Sequence, residues 1–316
     1  MNLALLFPGQ GAQKVGMGRA LAEQHAEARQ VFETADRVLG APLSRLCWEG
    51  PLEELTQSVN AQPALLTHSI AAWRLLQAAG QEPKWTAGHS LGEYSACVAA
   101  GALDFEDALR LVRRRGELMS RAGRERPGGM AAILGLEDEV VESVCHEAAE
   151  SGVVVAANYN APGQVVVSGE APAVERACEL AKARGARRAV RLEVSGAFHS
   201  PLMASAADEL GRALEAAPIR DAACPVIANV SAQPVQRATE IKQSLKAQLL
   251  GAVRWGASMR WLVDRGGAFV ELGSGTVLRG LLRSTDKQAR AWNVEDPESL
   301  QATLLGLGVT AGSAER

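Results

Sequence analysis

The stretch Thr86–Ala96 reads TAGHSLGEYSA and sets Ser90 between Gly88 and Gly92 in a G-x-S-x-G pattern. A serine so placed sits on a tight strand-to-helix turn. Small neighbours allow the turn, which exposes the hydroxyl and brings the next backbone N–H and a helix N-terminus beside it. The same five residues also fit an ordinary turn whose serine only caps a helix. An apolar run before Ser90 and a helical pattern after it favour the nucleophile.

A serine hydroxyl is a weak nucleophile and needs a base within hydrogen-bond reach. His89 is adjacent, but alternation along the turn points it away from Ser90. His199 is the better candidate, because Ser195-Gly-Ala-Phe-His-Ser-Pro-Leu-Met203 reads as a turn in which Ser200 and Pro201 open the next helix. A helix-cap or core histidine is the other reading of that residue. His25, His68 and His146 fall in helical patterns and read as structural. A conventional triad would add a carboxylate behind the imidazole, and no downstream Asp or Glu stands out as that partner.

The loop Phe7-Pro-Gly-Gln-Gly-Ala-Gln13 is neither a dinucleotide fingerprint nor a P-loop. Its glycines allow a backbone N–H to approach the serine. An oxyanion hole needs two such donors, each worth roughly 3–4 kcal/mol, and Gln10 and Leu91 are the candidates. An ordinary loop is the plain alternative.

A further residue bears on the substrate. Asp104-Phe-Glu-Asp107 opens a helix whose apolar stripe runs Ala108, Leu111, Val112, Leu118 and Met119. Arg115 falls inside that stripe, whereas Arg113 and Arg114 do not. A core-facing guanidinium is costly unless it meets an anion. Either it pairs with an internal Asp or Glu, or its fork holds a substrate carboxylate through two parallel hydrogen bonds. The run Lys182–Arg191 is basic and reads as a solvated face, or as a surface for an acidic partner or for ligand phosphates.

These residues need a scaffold. The 316 residues allow one large domain with an insertion, or two domains. A net charge of −3 gives no polycation for nucleic acid, and no apolar run reaches the roughly 18–20 residues of a membrane-spanning helix. MNLALLF lacks a basic flank and reads as a first strand, not a signal peptide. Five scattered cysteines, an odd number with no C-x-x-C pair, suggest reduced thiols in the cytoplasm; with histidines equally scattered, no metal is expected.

Strand and helix signals alternate, which predicts an α/β fold with a parallel sheet. Strands are expected at Leu3–Phe7, Trp85–Ala87, Pro225–Asn229, Ala268–Leu272 and Ala289–Val294. Helices are expected at Gln62–Ala79, Leu91–Ala100 and 104–122, with the tail Ala311–Arg316 fraying. The middle differs. Strand Met130–Leu136, helix Glu137–Glu150, strands Val153–Tyr159 and Gln164–Ser168, helix Ala173–Arg184 and strand Ala186–Val194 make the βαββαβ order of a ferredoxin-like unit. The division is residues 1–126 and 197–316 for the core and 127–196 for the inserted small domain, with the binding cleft between them.

Together the stretches FPGQGAQKVGMG, GHSLGEYSA, LVRRRGELM, NYNAPGQVVVSG, VSGAFHSPLM, QLLGAVRW and ELGSGTVLRGLL resemble the malonyl-coenzyme A:acyl-carrier-protein transacylases and the related acyltransferase domains of polyketide synthases. That resemblance implies a hydrolase-like α/β domain carrying a ferredoxin-like insertion. It implies Ser90 as the acylated nucleophile, His199 as the base, and Gln10 and Leu91 as the oxyanion hole. Gln248 would supply the carbonyl that orients the histidine, which would account for the missing acid. Arg115 would clamp the carboxylate, with Met119 and Phe198 also contacting substrate.

The implied reaction is ping-pong: malonyl-coenzyme A acylates Ser90, and the phosphopantetheine thiol of an acyl carrier protein then takes the malonyl group. No cofactor, metal or nucleic acid is implied, and a monomer is expected. Phe198 matches the pattern associated with malonyl over methylmalonyl, although one methyl is worth only about 1–3 kcal/mol. Ala12 stands where a serine is common, and Gly196-Ala197 fill a variable position. The pathway, fatty-acid or polyketide, stays open. A hydrolase on the same scaffold would need Ser90 and His199 but not Arg115; a catalytically dead docking subunit would need none of the set.

Overall fold

The computed structural model describes residues 2–309; the tail Ala311–Arg316 lies outside them. A six-stranded sheet is built from β1 (Leu3–Phe7), β2 (Trp85–Gly88), β7 (Val226–Ile227), β8 (Pro234–Val235), β9 (Ala268–Leu272) and β10 (Arg290–Val294). Its order is β10-β9-β1-β2-β7-β8, parallel except where β8 returns antiparallel on β7. β1 is buried along its length because both faces are covered, as a parallel strand between helical layers must be. Leu3, Leu5 and Phe7 pack into the core that holds the buried helix Ser58–Ala78, while Ala4 and Leu6 face Trp255, Met259 and Leu262 on the opposite side.

The middle of the chain forms a second sheet from β3 (Gly129–Leu134), β4 (Val154–Ala161), β5 (Gln164–Gly169) and β6 (Arg188–Arg191). All its pairings are antiparallel, in the order β4-β5-β3-β6. With the helices Asp138–Ala148 and Ala171–Ala183 between the strands, this is the ferredoxin-like arrangement. Alternation decides its two faces. Ala131, Ile133, Val165 and Val167 bury against those helices, whereas Met130, Ala157 and Val166 join the main core beside Phe198 and Met203. The small sheet thereby packs its second face onto the main core.

Several elements depart from sequence expectation for identifiable reasons. The helix expected from Gln62 begins at Ser58, so Pro63 lies inside it. The missing Pro63 N–H frees the Val59 carbonyl, and Arg113 donates to that oxygen at 2.8 Å. The strand expected over Pro225–Asn229 keeps only Val226–Ile227, because Asn229 leaves the sheet to serve the Ser90 turn. The strand expected over Ala186–Val194 shrinks to Arg188–Arg191 at a sheet edge, and the short β8 had no apolar run to announce it.

Helix Phe105–Glu125, which carries Arg115, crosses helix Ser58–Ala78 at Gly116. A Cβ there would stand 2.5 Å from the Ser58 carbonyl oxygen. Gly116→Ala should therefore separate the helices at a cost of about 1–3 kcal/mol. A fall of several degrees in Tm by differential scanning calorimetry is expected, and an unchanged Tm would show that the crossing opens freely.

Candidate active site

The parallel register sets the C-terminal ends of β1 and β2 side by side, with Phe7 opposite Gly88, the end where open α/β sheets bind ligands. Two loops leave from there. One begins at Pro8; the other is the turn His89-Ser90-Leu91, after which helix Gly92–Ala99 starts. They touch so closely that a Cβ on Gly92 would lie 2.0 Å from the Phe7 oxygen, and one on Gly9 would lie 2.5 Å from the His89 oxygen. Ser90 itself has φ 51°, a left-handed conformation that a serine adopts only when its surroundings impose it.

Asn229, 1% exposed, imposes it. Its Oδ1 accepts from the Ser90 N–H at 2.8 Å, and its Nδ2 donates to the Gly88 oxygen at 2.7 Å. Both sides of the strained turn are held by one side chain. Sequence reasoning passed over Asn229; its only local signal was a polar residue ending an apolar strand.

The Ser90 hydroxyl lies 2.7 Å from His199 Nε2. His199 Nδ1 faces two carbonyl oxygens, of Gln248 at 2.9 Å and Gly251 at 3.1 Å. A carbonyl can only accept, so Nδ1 carries the proton, Nε2 presents its lone pair, and Ser90 donates to it. Two backbone carbonyls thus do the orienting work that a carboxylate does in a conventional triad. Burial first, and the Arg115 charge second, push the His199 pKa down to about 3. The imidazole is therefore neutral across the physiological range. His199 also sits at φ 55°.

Arg115 is 1% exposed. Its Nη2 donates to Ser90 Oγ at 3.0 Å and to Gln248 Oε1 at 3.1 Å, and its Nη1 donates to Gln62 Oε1 at 3.0 Å. The Tyr94 ring lies 5.7 Å from the guanidinium carbon. Among the described residues no carboxylate is in ion-pair contact with Arg115, and its Nε has no partner. The internal ion pair entertained from sequence is thus replaced by neutral oxygens. Gln62 also donates to Met119 Sδ at 3.3 Å, which places Met119 beside the guanidinium pocket. Phe198 is buried next to His199.

Gln248 does more than its sequence motif suggested. Besides the backbone carbonyl on His199, its Nε2 donates to the Ser90 oxygen at 2.8 Å and to Glu93 Oε2 at 2.6 Å. The segment after it is stitched down: Val253 exchanges backbone bonds with Ala157 and Tyr159 of β4, and the Arg254 N–H donates to the Asn229 oxygen. His89 turns away from the serine, as alternation required, and its Nε2 meets Asn160 Oδ1 of β4 at 2.8 Å. His68 is buried against the Glu295 oxygen at 3.0 Å. Gln10 and Leu91 lie on the two facing loops, and among the described residues no acceptor engages either backbone N–H. In the basic run, Arg184 and Arg191 pair with Glu147 and Glu175.

Residues 4–306 match the family described as acyl transferase domain. The malonyl CoA-acyl carrier protein transacylase of Bacillus subtilis is 49% identical, over 96% of each chain. An acyl carrier protein S-malonyltransferase from Vibrio cholerae superposes with a TM-score of 0.92 at 44% identity, covering 96% of this chain and all of the other. A malonyl-transacylase solved in complex with a type II PKS acyl-carrier protein gives 0.94 at 43% identity, covering 96% of this chain and 99% of the other.

Because Asn229 satisfies two buried backbone groups, Asn229→Ala strands both, at about 1–3 kcal/mol each. Chemical denaturation should show that loss, with faster hydrogen exchange at the Ser90 amide. Unchanged exchange there would mean that the turn holds itself.

Proposed function

The chain belongs to the acyl transferase domain family, and from that premise we propose that it moves a malonyl group from malonyl-coenzyme A to the phosphopantetheine thiol of an acyl carrier protein. The observation that carries this reading is the convergence of His199 Nε2 and Arg115 Nη2 on one oxygen, Ser90 Oγ. A short acyl thioester with a terminal carboxylate spans that pair of groups; an unsubstituted acetyl group leaves the guanidinium unmatched.

The residue roles follow. His199 Nε2 takes the Ser90 proton as Oγ attacks the thioester carbonyl. The oxyanion is received by the N–H groups of Gln10 and Leu91. The thiolate of coenzyme A leaves with the proton held by His199, and Ser90 carries the malonyl ester. In the second half the carrier-protein thiol gives its proton to His199 and attacks the ester, and His199 returns that proton to Oγ as Ser90 is released. Arg115, with Met119 alongside, holds the acyl carboxylate through both halves, and the Phe198 ring limits room for a branch. These steps call on no metal or organic cofactor.

The reading covers fatty-acid and polyketide biosynthesis alike. We place the protein in the cytoplasm, a compartment that suits its five unpaired, buried thiols; no helix among the described residues is long and apolar enough to cross a membrane.

Intact-protein mass spectrometry after brief exposure to malonyl-coenzyme A should detect one malonyl adduct, absent from Ser90→Ala. Arg115→Ala should slow its formation by about 30-fold or more, as expected when a buried charge loses its partner. Undiminished labelling would remove the clamp from the reading, and coenzyme A release without an adduct would favour a hydrolase. Phe198→Ala should raise the methylmalonyl-to-malonyl ratio of kcat/KM by about tenfold, the scale of one methyl group; an unchanged ratio would free Phe198 from that role.

A further inference from the structure

Arg115 presents an unbalanced account of charge. Its fork is met by Gln62, Ser90 and Gln248, all neutral, and neutral acceptors satisfy hydrogen bonds without cancelling a buried positive charge. Behind Gln248 stands Glu93, itself 1% exposed. One amide joins the two: Arg115 Nη2 donates to Gln248 Oε1 at 3.1 Å, and Gln248 Nε2 donates to Glu93 Oε2 at 2.6 Å. A flipped amide would point its NH2 at the guanidinium and its oxygen at the carboxylate, both repulsive. Glu93 thus fixes the orientation in which Gln248 also reaches the Ser90 carbonyl.

We propose that Glu93 is the internal counter-anion of Arg115 in the free enzyme, and that it takes up a proton from solvent when a substrate carboxylate arrives on Arg115. The proposal rests on the reading that an acyl carboxylate binds there. With Glu93 ionised and His199 neutral, the empty pocket has no net charge. A bound malonyl carboxylate would leave two anions sharing one buried cation, and protonating Glu93 restores neutrality. The proton ends on a Glu93 carboxyl oxygen, and no other bond changes.

The surroundings agree. Burial raises the Glu93 pKa to about 7, while bonds from Gln248 and Asn229 and the charge of Arg115 hold it down. It is thus poised to exchange a proton near neutrality. Facing it are Arg115 from the crossing helix, Tyr94 and Cys97 on its own helix, and His199 in the same cleft. Burial pushes the Tyr94 and Cys97 pKa values upward, so both stay neutral. His199 is the competing proton acceptor, because a carboxylate on Arg115 offsets one of the causes that depress it.

Calorimetry of malonyl-coenzyme A binding to the Ser90→Ala chain, in phosphate and in Tris at about pH 8, reads the proton directly. Uptake approaching about one proton per site is expected, absent from Ser90→Ala/Glu93→Gln. In the unmodified chain, KM for malonyl-coenzyme A should rise by up to about tenfold per pH unit above neutrality, and Glu93→Gln should flatten that rise. Binding without uptake, or equal uptake in the Glu93→Gln chain, overturns the proposal while leaving the malonyl reading intact. If binding does not weaken in Ser90→Ala/Arg115→Ala, the reading itself fails. Should Glu93→Gln not fold, Ser90→Ala/His199→Ala decides: retained uptake supports Glu93, and lost uptake assigns the proton to His199 and overturns the proposal.

Discussion

A guanidinium sealed from water must be given acceptors from several directions, and the cleft is organised around that demand. Arg115 lies on one helix, Gln62 on a second, Ser90 on the turn after β2, and Gln248 at the end of a fourth element. Three other segments therefore converge on one side chain. Each hydrogen bond is modest by itself. Their joint effect is geometric, because a fork with fixed directions constrains the relative placement of everything that meets it. The Gly116 crossing serves the same end by letting the arginine's helix lie close enough for Gln62 to reach.

The strain at Ser90 is the second constraint, and it depends on the first being met. A serine at φ 51° is tolerated where its neighbours over-determine it. Asn229 binds the turn at Gly88 and Ser90, Gln248 binds the Ser90 carbonyl, and the absence of a side chain at Gly92 lets the turn sit against Phe7. The hydroxyl that emerges is fixed by a donor on one side and an acceptor on the other. Its proton points at His199 and its lone pairs at Arg115. An oxygen held in this way would need no reorganisation in the attack proposed for it.

Much of this was legible from local pattern. β1 fell where an unbroken apolar run placed it, as a strand buried on both faces requires. β9 fell on a run broken only by Glu271, whose carboxylate accepts from the Leu278 and Arg279 N–H groups. The βαββαβ order in the middle was readable because each strand is bounded by a glycine or a helical period. Ser90 and Arg115 announced themselves by breaking expectation, one between two glycines and one inside an apolar stripe. What escaped was non-local. Asn229 matters only because the fold brings it to Gly88, and Gln62 only because two helices cross. Glu93 stood in plain view within GHSLGEYSA; a carboxylate followed by Tyr-Ser-Ala-Cys on a short, buried helix was a signal of the same kind as Arg115.

On the proposed function, the two backbone carbonyls on His199 take the place of a triad acid. A carboxylate next to the imidazole would stabilise the imidazolium, but it would also add a second anion to a site where Glu93 already stands behind Gln248. Carbonyls at 2.9 and 3.1 Å set the tautomer without adding charge. The positive charge of Arg115 then stays available to a ligand's carboxylate. Burial and that charge together keep His199 neutral, because an imidazolium out of water beside a guanidinium is doubly unfavourable. On the proposed function, a substrate carboxylate would relieve the guanidinium and make His199 a better proton acceptor in the same event. A substrate lacking one would do neither, so on that proposal the choice of acyl group is built into the activation of the base as well as into the binding contact.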